Sequence, residues 1–337
     1  ELRASLVPLL AEIEAAKASN PAIDAAHPAL APSAEWDVAE QASLCREVAG
    51  RLGYSFDHGR LDTSAHPFTG GGGPTDVRIT SRYSENWAEG LGGVVHEAGH
   101  ALYEQGRDMS DDARGLPAGE PLSMGVHESQ SLLWERHVGQ SEPFWRWAAP
   151  AFHARFPHTR ACSPDDFYRA YNRVAPGPIR VDADEVSYSL HVILRYDLER
   201  ALFTGDMQVA DLPDAWNSRM RADLGVSVES DARGCLQDIH WSMGAFGYFP
   251  SYSLGAVLAA QLYDAAQTQL GGADALDARI AAGEFGPLRE WLREKVHRVG
   301  SVHASPDALL TSVCGEGVSV GPFVRHLRGK YSRLYEL

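Results

Sequence analysis

Apolar residues recur at helical spacing through most of the longer segments of the chain. Leu190, Ile193, Leu194, Tyr196 and Leu198 form one such set, and Leu254, Val257, Leu258 and Leu262 another, at the interval that lines one face of a helix. Further helices are predicted near Leu6 to Ala16, Val48 to Leu52, Trp87 to Gln105, Ser129 to His137, Leu288 to Val299 and Phe323 to Tyr335, several of them bounded by Pro or Gly. Strand signals are sparse: Asp76 to Thr80 and Ile179 to Val181 are short, β-branched and next to turn residues. The run Gly70 to Gly73 before Pro74 reads as a loop, and no Gly-Lys-Ser/Thr follows it to make a phosphate cradle. The predicted fold class is therefore mainly α, a helical body with a small β-sheet beside it. No repeat is visible, and the Pro- and Ala-rich stretch Pro21 to Trp36 is too short to argue for a separate domain, so residues 1–337 are read as a single domain.

Composition narrows the function. With 44% hydrophobic residues the chain can build a normal core, and 45 acidic against 30 basic residues give a net charge of −15. That balance opposes a nucleic-acid or anionic-membrane partner, both of which call for dense Lys/Arg patches. No apolar run approaches the roughly 20 residues of a membrane-spanning helix. Cys45, Cys162, Cys235 and Cys314 lie far apart without a C-x-x-C pair, which points to reduced thiols and a cytoplasmic setting.

The chemistry concentrates in Val94-Val95-His96-Glu97-Ala98-Gly99-His100. Two histidines four apart share one helix face, so both imidazoles reach a single ion, and Glu97 is placed to act on water there. A catalytic zinc usually has three protein ligands, and the third must come from elsewhere. Glu104 lies one turn beyond His100 on the same helix, where its short reach makes it a supporting group at best and, more often than that, a surface glutamate. Glu128 and Glu135 sit on the next predicted helix, which a short Pro-containing connection lets return antiparallel. Glu128 is the expected ligand, and Glu135, two turns on, is placed either to hydrogen-bond a ligating histidine or to make a surface ion pair. Attack of water on a peptide carbonyl also needs donors for the developing oxyanion. The stretches Asp238 to Trp241 and Gly247 to Tyr252 are rich in them, although such aromatic residues also build ordinary cores.

Six motifs, in this order, resemble those of the thermostable-type (M32) metallocarboxypeptidase family, which is related to the gluzincin peptidases. They are His66-Pro67-Phe68, Asp76-Val77-Arg78-Ile79-Thr80, His96-Glu97-Ala98-Gly99-His100, His127-Glu128-Ser129-Gln130, Ile179-Arg180-Val181-Asp182-Ala183-Asp184 and Gly234-Cys235-Leu236-Gln237-Asp238-Ile239-His240-Trp241. The resemblance implies a helical metallopeptidase body with its small sheet beside the active-site cleft. It also implies His96, His100 and Glu128 as ligands and Glu97 as general base, in agreement with the spacing. Beyond the spacing, it implies that Arg180, and less directly Arg78, recognise the substrate's terminal carboxylate, while His240 with Tyr248 or Tyr252 steadies the oxyanion. Ion pairs of Arg180 with Asp182 or Asp184, and of Arg78 with Asp76, are the competing readings of those arginines. A helical region longer than the 95 residues before His96 is typical of the family, so the chain is expected to lack part of it. The expected activity is a Zn²⁺-dependent carboxypeptidase acting on peptide substrates as a homodimer, with Co²⁺ able to replace zinc. Cleavage inside short peptides, or a non-catalytic metal-stabilised fragment, are the alternatives.

Overall fold

Along Asp76–Ser81 the side chains of Val77 and Ile79 are buried and Arg78 between them is exposed, the two-residue period of a strand with one covered face. In the computed structural model, which describes residues 1–32, 34–108, 110 and 115–337, this segment is the centre of a three-stranded sheet. Strand β1 (Gly59–Thr63) pairs parallel to β3 (Asp76–Ser81), with Gly59 opposite Val77 and Thr63 opposite Ser81. Strand β2 (Thr69–Gly73) pairs antiparallel on the other side, with Thr69 opposite Ile79 and Gly71 opposite Val77. The glycine run is thus a strand, not a loop. A Cβ on Gly71 would lie 1.8 Å from the carbonyl oxygen of Asp76, so the closeness of this pairing admits only glycine there.

Helices make up most of the remaining described chain, as the apolar spacing predicts. The chain forms two compact units. One comprises Glu1–Ala25, Asn172–Leu254 and Val320–Leu337, the other Ala26–Tyr171 and Gly255–Ser319. The first boundary falls inside the Pro21 to Trp36 stretch, whose described part carries short 3-10 turns at Pro21–Asp24 and Pro28–Leu30; residue 33 lies outside the described residues.

In the second unit, helix Trp87–Gly106 opens on Asn86, whose side chain accepts from the Ala88 amide at 3.2 Å. Glycines let this helix lie close to the sheet. A Cβ on Gly93 would come within 3.1 Å of Ser81 Oγ, and that hydroxyl donates to the Gly90 carbonyl at 3.0 Å. Helix Met124–Leu132, capped by Ser123 Oγ on the Val126 amide at 3.2 Å, runs on into a π-helical segment, Leu133–Gly139. Together they contain the predicted Ser129 to His137 helix. The core beneath is aromatic: Trp145 stacks on Phe167 at 5.3 Å between centroids, and Trp87 meets Trp145 edge-on at 5.6 Å.

The first unit is built on helices Leu2–Ser19, Glu185–Thr204, Leu212–Leu224 and Gly321–Tyr335. Its buried acid, Glu185, is matched by Lys330 Nζ at 2.7 Å, Tyr331 Oη at 3.0 Å and His326 Nε2 at 3.0 Å. The strand expected at Ile179 to Val181 does not form. Those residues enter a 3-10 turn, Arg180–Asp182, because the Arg180 amide donates to Gln237 Oε1 at 2.8 Å and the Ala183 amide closes back on Arg180. Among the described residues no helix is long and apolar enough to cross a membrane.

Candidate metal centre

His96 and His100 lie one turn apart on helix Trp87–Gly106, and Glu128 faces them from helix Met124–Leu132. Glu128 Oε2 is 3.3 Å from His100 Nε2 and 3.9 Å from His96 Nε2, and the three donor atoms all lie within 4.8 Å of one another. Donors bound at ~2.0–2.1 Å to one tetrahedral ion stand roughly 3.3 Å apart, so two imidazole nitrogens and a carboxylate oxygen separated by 3.3 Å to at most 4.8 Å could share one divalent cation.

Two glycines create the slot that Glu128 occupies. A Cβ on Gly99 would sit 2.6 Å from both the Gln130 carbonyl oxygen and Ser131 Cα, so this position brings the two helices together at backbone distance. From helix Pro250–Gln269, a Cβ on Gly255 would sit 2.5 Å from Glu128 Cγ. Glu128 is thereby held by its own helix and by glycine faces on two neighbours.

Hydrogen bonds settle how the imidazoles point. His96 Nδ1 is 2.7 Å from Glu135 Oε2, so Nδ1 carries the proton and Nε2 is turned toward Glu128. Of the two placements open to Glu135, the structure has the hydrogen bond to His96, from the π-helical segment. Burial alone would keep the His96 ring neutral, but the bond to Glu135 and the charges of Glu128 and Glu97 lift it to about 10. Burial leaves His100 below its ordinary value. Burial pushes the Glu128 carboxyl up, but its closeness to His100 and the charges of His96 and Arg136 hold it down at about 2. A pocket that draws a proton onto a buried imidazole is one whose negative charge suits a cation. Glu97 is buried at 7% exposure, and one of its carboxylate oxygens accepts from Thr69 Oγ1 at 2.5 Å. Reading the glycine run as a loop hides Thr69, since only the pairing of β2 delivers it to Glu97.

In the first unit a second cluster gathers four of the predicted residues. Arg180, 6% exposed, donates from Nε and Nη2 to Asp238 Oδ1 at 2.9 and 2.8 Å, so its partner is neither Asp182 nor Asp184. Asp238 Oδ2 accepts from the buried Arg195 at 2.6 Å. Burial would raise the Asp238 carboxyl, but Arg195 and Arg180 together hold it below the usual range. His240 Nε2 is 3.0 Å from Tyr252 Oη, and the Tyr248 ring lies 5.6 Å from the imidazole. Burial first, and then the charge of Arg180, lowers His240, which favours the neutral ring. Arg78, in the second unit, is ion-paired with Asp76 at 2.8 Å and 58% exposed on β3.

Comparison with known proteins follows the same lines. A family model described as carboxypeptidase Taq (M32) metallopeptidase matches residues 1–331. Thermostable carboxypeptidase 1 of Thermus thermophilus is 44% identical over 301 residues, covering 89% of this chain and 58% of that protein. Carboxypeptidase 1 of Bacillus subtilis is 40% identical over 341 residues, covering 100% of this chain and 65% of that protein. The crystal structure of an M32 carboxypeptidase from Deinococcus radiodurans R1 superposes with a TM-score of 0.93 at 40% identity, covering 100% of this chain and 66% of that one. The chain thus spans less than two thirds of the length of these relatives.

Proposed function

The chain belongs to the carboxypeptidase Taq (M32) metallopeptidase family, and on that premise we propose that it is a zinc carboxypeptidase that removes C-terminal residues from peptides. The observation that carries this reading is the convergence of His96 Nε2, His100 Nε2 and Glu128 Oε2 within 4.8 Å. A divalent cation held there supplies Lewis-acid polarisation of the scissile carbonyl and acidifies water. Zinc suits the nitrogen-rich donor set, and cobalt would serve in its place.

In this reading Glu97 takes the proton of the attacking water and returns it to the leaving amine, while the Thr69 hydroxyl fixes the orientation of its carboxylate. His240 with Tyr248 or Tyr252 supplies hydrogen-bond donors to the developing oxyanion. Arg180, its guanidinium oriented by Asp238, pairs with the substrate's terminal carboxylate. Arg78 contributes to that recognition only by giving up its surface pair with Asp76. Residues 1–337 act as one catalytic domain, since each compact unit is assembled from separated stretches of chain. The four free cysteines, three of them buried, accord with a reducing cytoplasm, and a homodimer belongs to the same reading.

The test is Glu97→Gln, read for zinc content and for turnover on a short peptide. Bound zinc is expected to stay while kcat falls by roughly 10²–10⁴-fold, the usual worth of a positioned acid–base group. Amidating the peptide's C-terminus should abolish cleavage; equal rates on free and amidated peptides would remove the exopeptidase reading.

A further inference from the structure

We infer that Glu104 and His127 are positioning residues, a relay that decides which nitrogen of His100 faces the cation. The inference rests on the reading of His96, His100 and Glu128 as ligands. Two consecutive residues of the facing helix grip the two nitrogens of one ring: Glu128 Oε2 lies 3.3 Å from His100 Nε2, and His127 Nδ1 lies 2.6 Å from His100 Nδ1. Two ring nitrogens so close must share a single proton, one as donor and the other as bare acceptor. The far end of the chain assigns the roles. His127 Nε2 is 2.9 Å from Glu104 Oε1, and an ionised carboxylate only accepts, so Nε2 carries the N–H. In the neutral ring His127 Nδ1 is then bare and accepts from His100 Nδ1–H. The lone pair of His100 is left on Nε2, beside Glu128.

Glu104 is anchored in turn. Its other oxygen accepts from Arg107 Nη1 at 2.7 Å, and Arg107 donates from Nε to the Gly119 carbonyl at 2.8 Å and pairs with Glu120 at 2.7 Å. Since Glu104 follows His100 by four residues, both side chains leave the same face of helix Trp87–Gly106, and the His127 ring bridges them. The ring of Tyr103, 5.1 Å away, packs on that bridge. Each predicted imidazole ligand is thus backed by a carboxylate, His96 by Glu135 directly and His100 by Glu104 through one intervening ring.

The experiment uses the full chain and compares His127→Phe, His127→Asn and Glu104→Gln with the parent and with Glu120→Gln. Zinc affinity is measured against a chromophoric chelator, the visible spectrum of bound Co²⁺ is recorded, and each metal-free chain is melted. His127→Phe should lose roughly 10–100-fold in zinc affinity and shift the cobalt spectrum. His127→Asn, whose amide oxygen can accept from His100 Nδ1–H, should recover most of the affinity and the parental spectrum. Glu104→Gln should fall between these two, and Glu120→Gln should stay within about twofold of the parent. Parental affinity and spectrum in His127→Phe, or equal losses in the Phe and Asn variants, would overturn the relay. Should the Phe variant fail to melt cooperatively, Glu104→Gln decides: parental affinity and spectrum there overturn the inference equally. A parent chain that binds neither ion would sink the metal site itself and the relay with it, a failure distinct from a parent that binds while its variants bind equally well.

Discussion

Replacing Gly99 by alanine separates the stability of this site's scaffold from its accuracy. The added methyl would lie 2.6 Å from the Gln130 carbonyl oxygen and Ser131 Cα, atoms of backbone that cannot rotate away. Carbon contacts relax at ~3.5–4.0 Å, so the two helices must part by about 1 Å. Overpacking of this kind costs about 1–3 kcal/mol, while alanine gains about 1 kcal/mol over glycine in a helix, leaving a net loss of about 0–2 kcal/mol. Metal sites tolerate only ~0.2 Å in ligand distance, so a shift of Glu128 several times larger should weaken zinc by at least the roughly 10–100-fold seen when groups behind a ligand are disturbed. The assay pairs calorimetric melting of the metal-free chain with a zinc competition titration. Gly329→Ala is the control: this exposed helical glycine has no atom near its missing Cβ and should gain about 1 kcal/mol with zinc affinity unchanged. A Gly99→Ala chain that melts like the parent and binds zinc as tightly would refute the reasoning.

Three further outcomes follow from the same geometry. Glu135→Gln removes the charge behind His96 Nδ1 and should weaken zinc roughly 10–100-fold; a dissociation constant within twofold of the parent would count against it. Because the site forms only when the helices are folded together, zinc at 100 times its dissociation constant should add about 2.7 kcal/mol of stability, and a melting temperature indifferent to chelator would contradict this. His191 and His297 are fully buried, and burial lowers both from 6.5 to about 3. The folded chain therefore keeps them neutral where the unfolded chain takes protons, so their contribution is intact above pH 6.5 and declines as the pH falls toward 3. By pH 5 each should cost about 2 kcal/mol, and His297→Gln should flatten the fall in melting temperature between pH 7 and 5.

The motif helix and the clustering of His96, His100 and Glu128 are legible in the sequence because periodicity and chemistry coincide there. The spacing that makes an amphipathic helix of Trp87 to Gln105 also puts His96 and His100 on one face. Glu128 follows because the next helix returns antiparallel, as the contacts of His96 with Glu135 and of Glu104 with His127 confirm. Thr69 is not legible, since a run of glycines carries no side-chain pattern and its pairing is decided by Asp76–Ser81. Nor is Asp238 as the partner of Arg180: the two lie far apart in sequence, and the nearer Asp184 is occupied in capping the amides of Val186 and Ser187. At Ile179 to Val181 a local β preference loses to hydrogen bonds with Gln237, which nothing nearby in the sequence announces.

The slot between Gly99 and Gly255 would tie the lifetime of an ion held by Glu128 to the breathing of the core. Glu128 sits on a helix rather than a loop, packed close to Gly99 on one neighbour and Gly255 on another, so its backbone moves only with that helix. Openings of that kind belong to cooperative sub-global unfolding, orders of magnitude slower than the nanosecond wagging of a ligand on a surface turn. Exchange with solution of a cation held there is therefore expected to keep pace with amide exchange in residues 126–131.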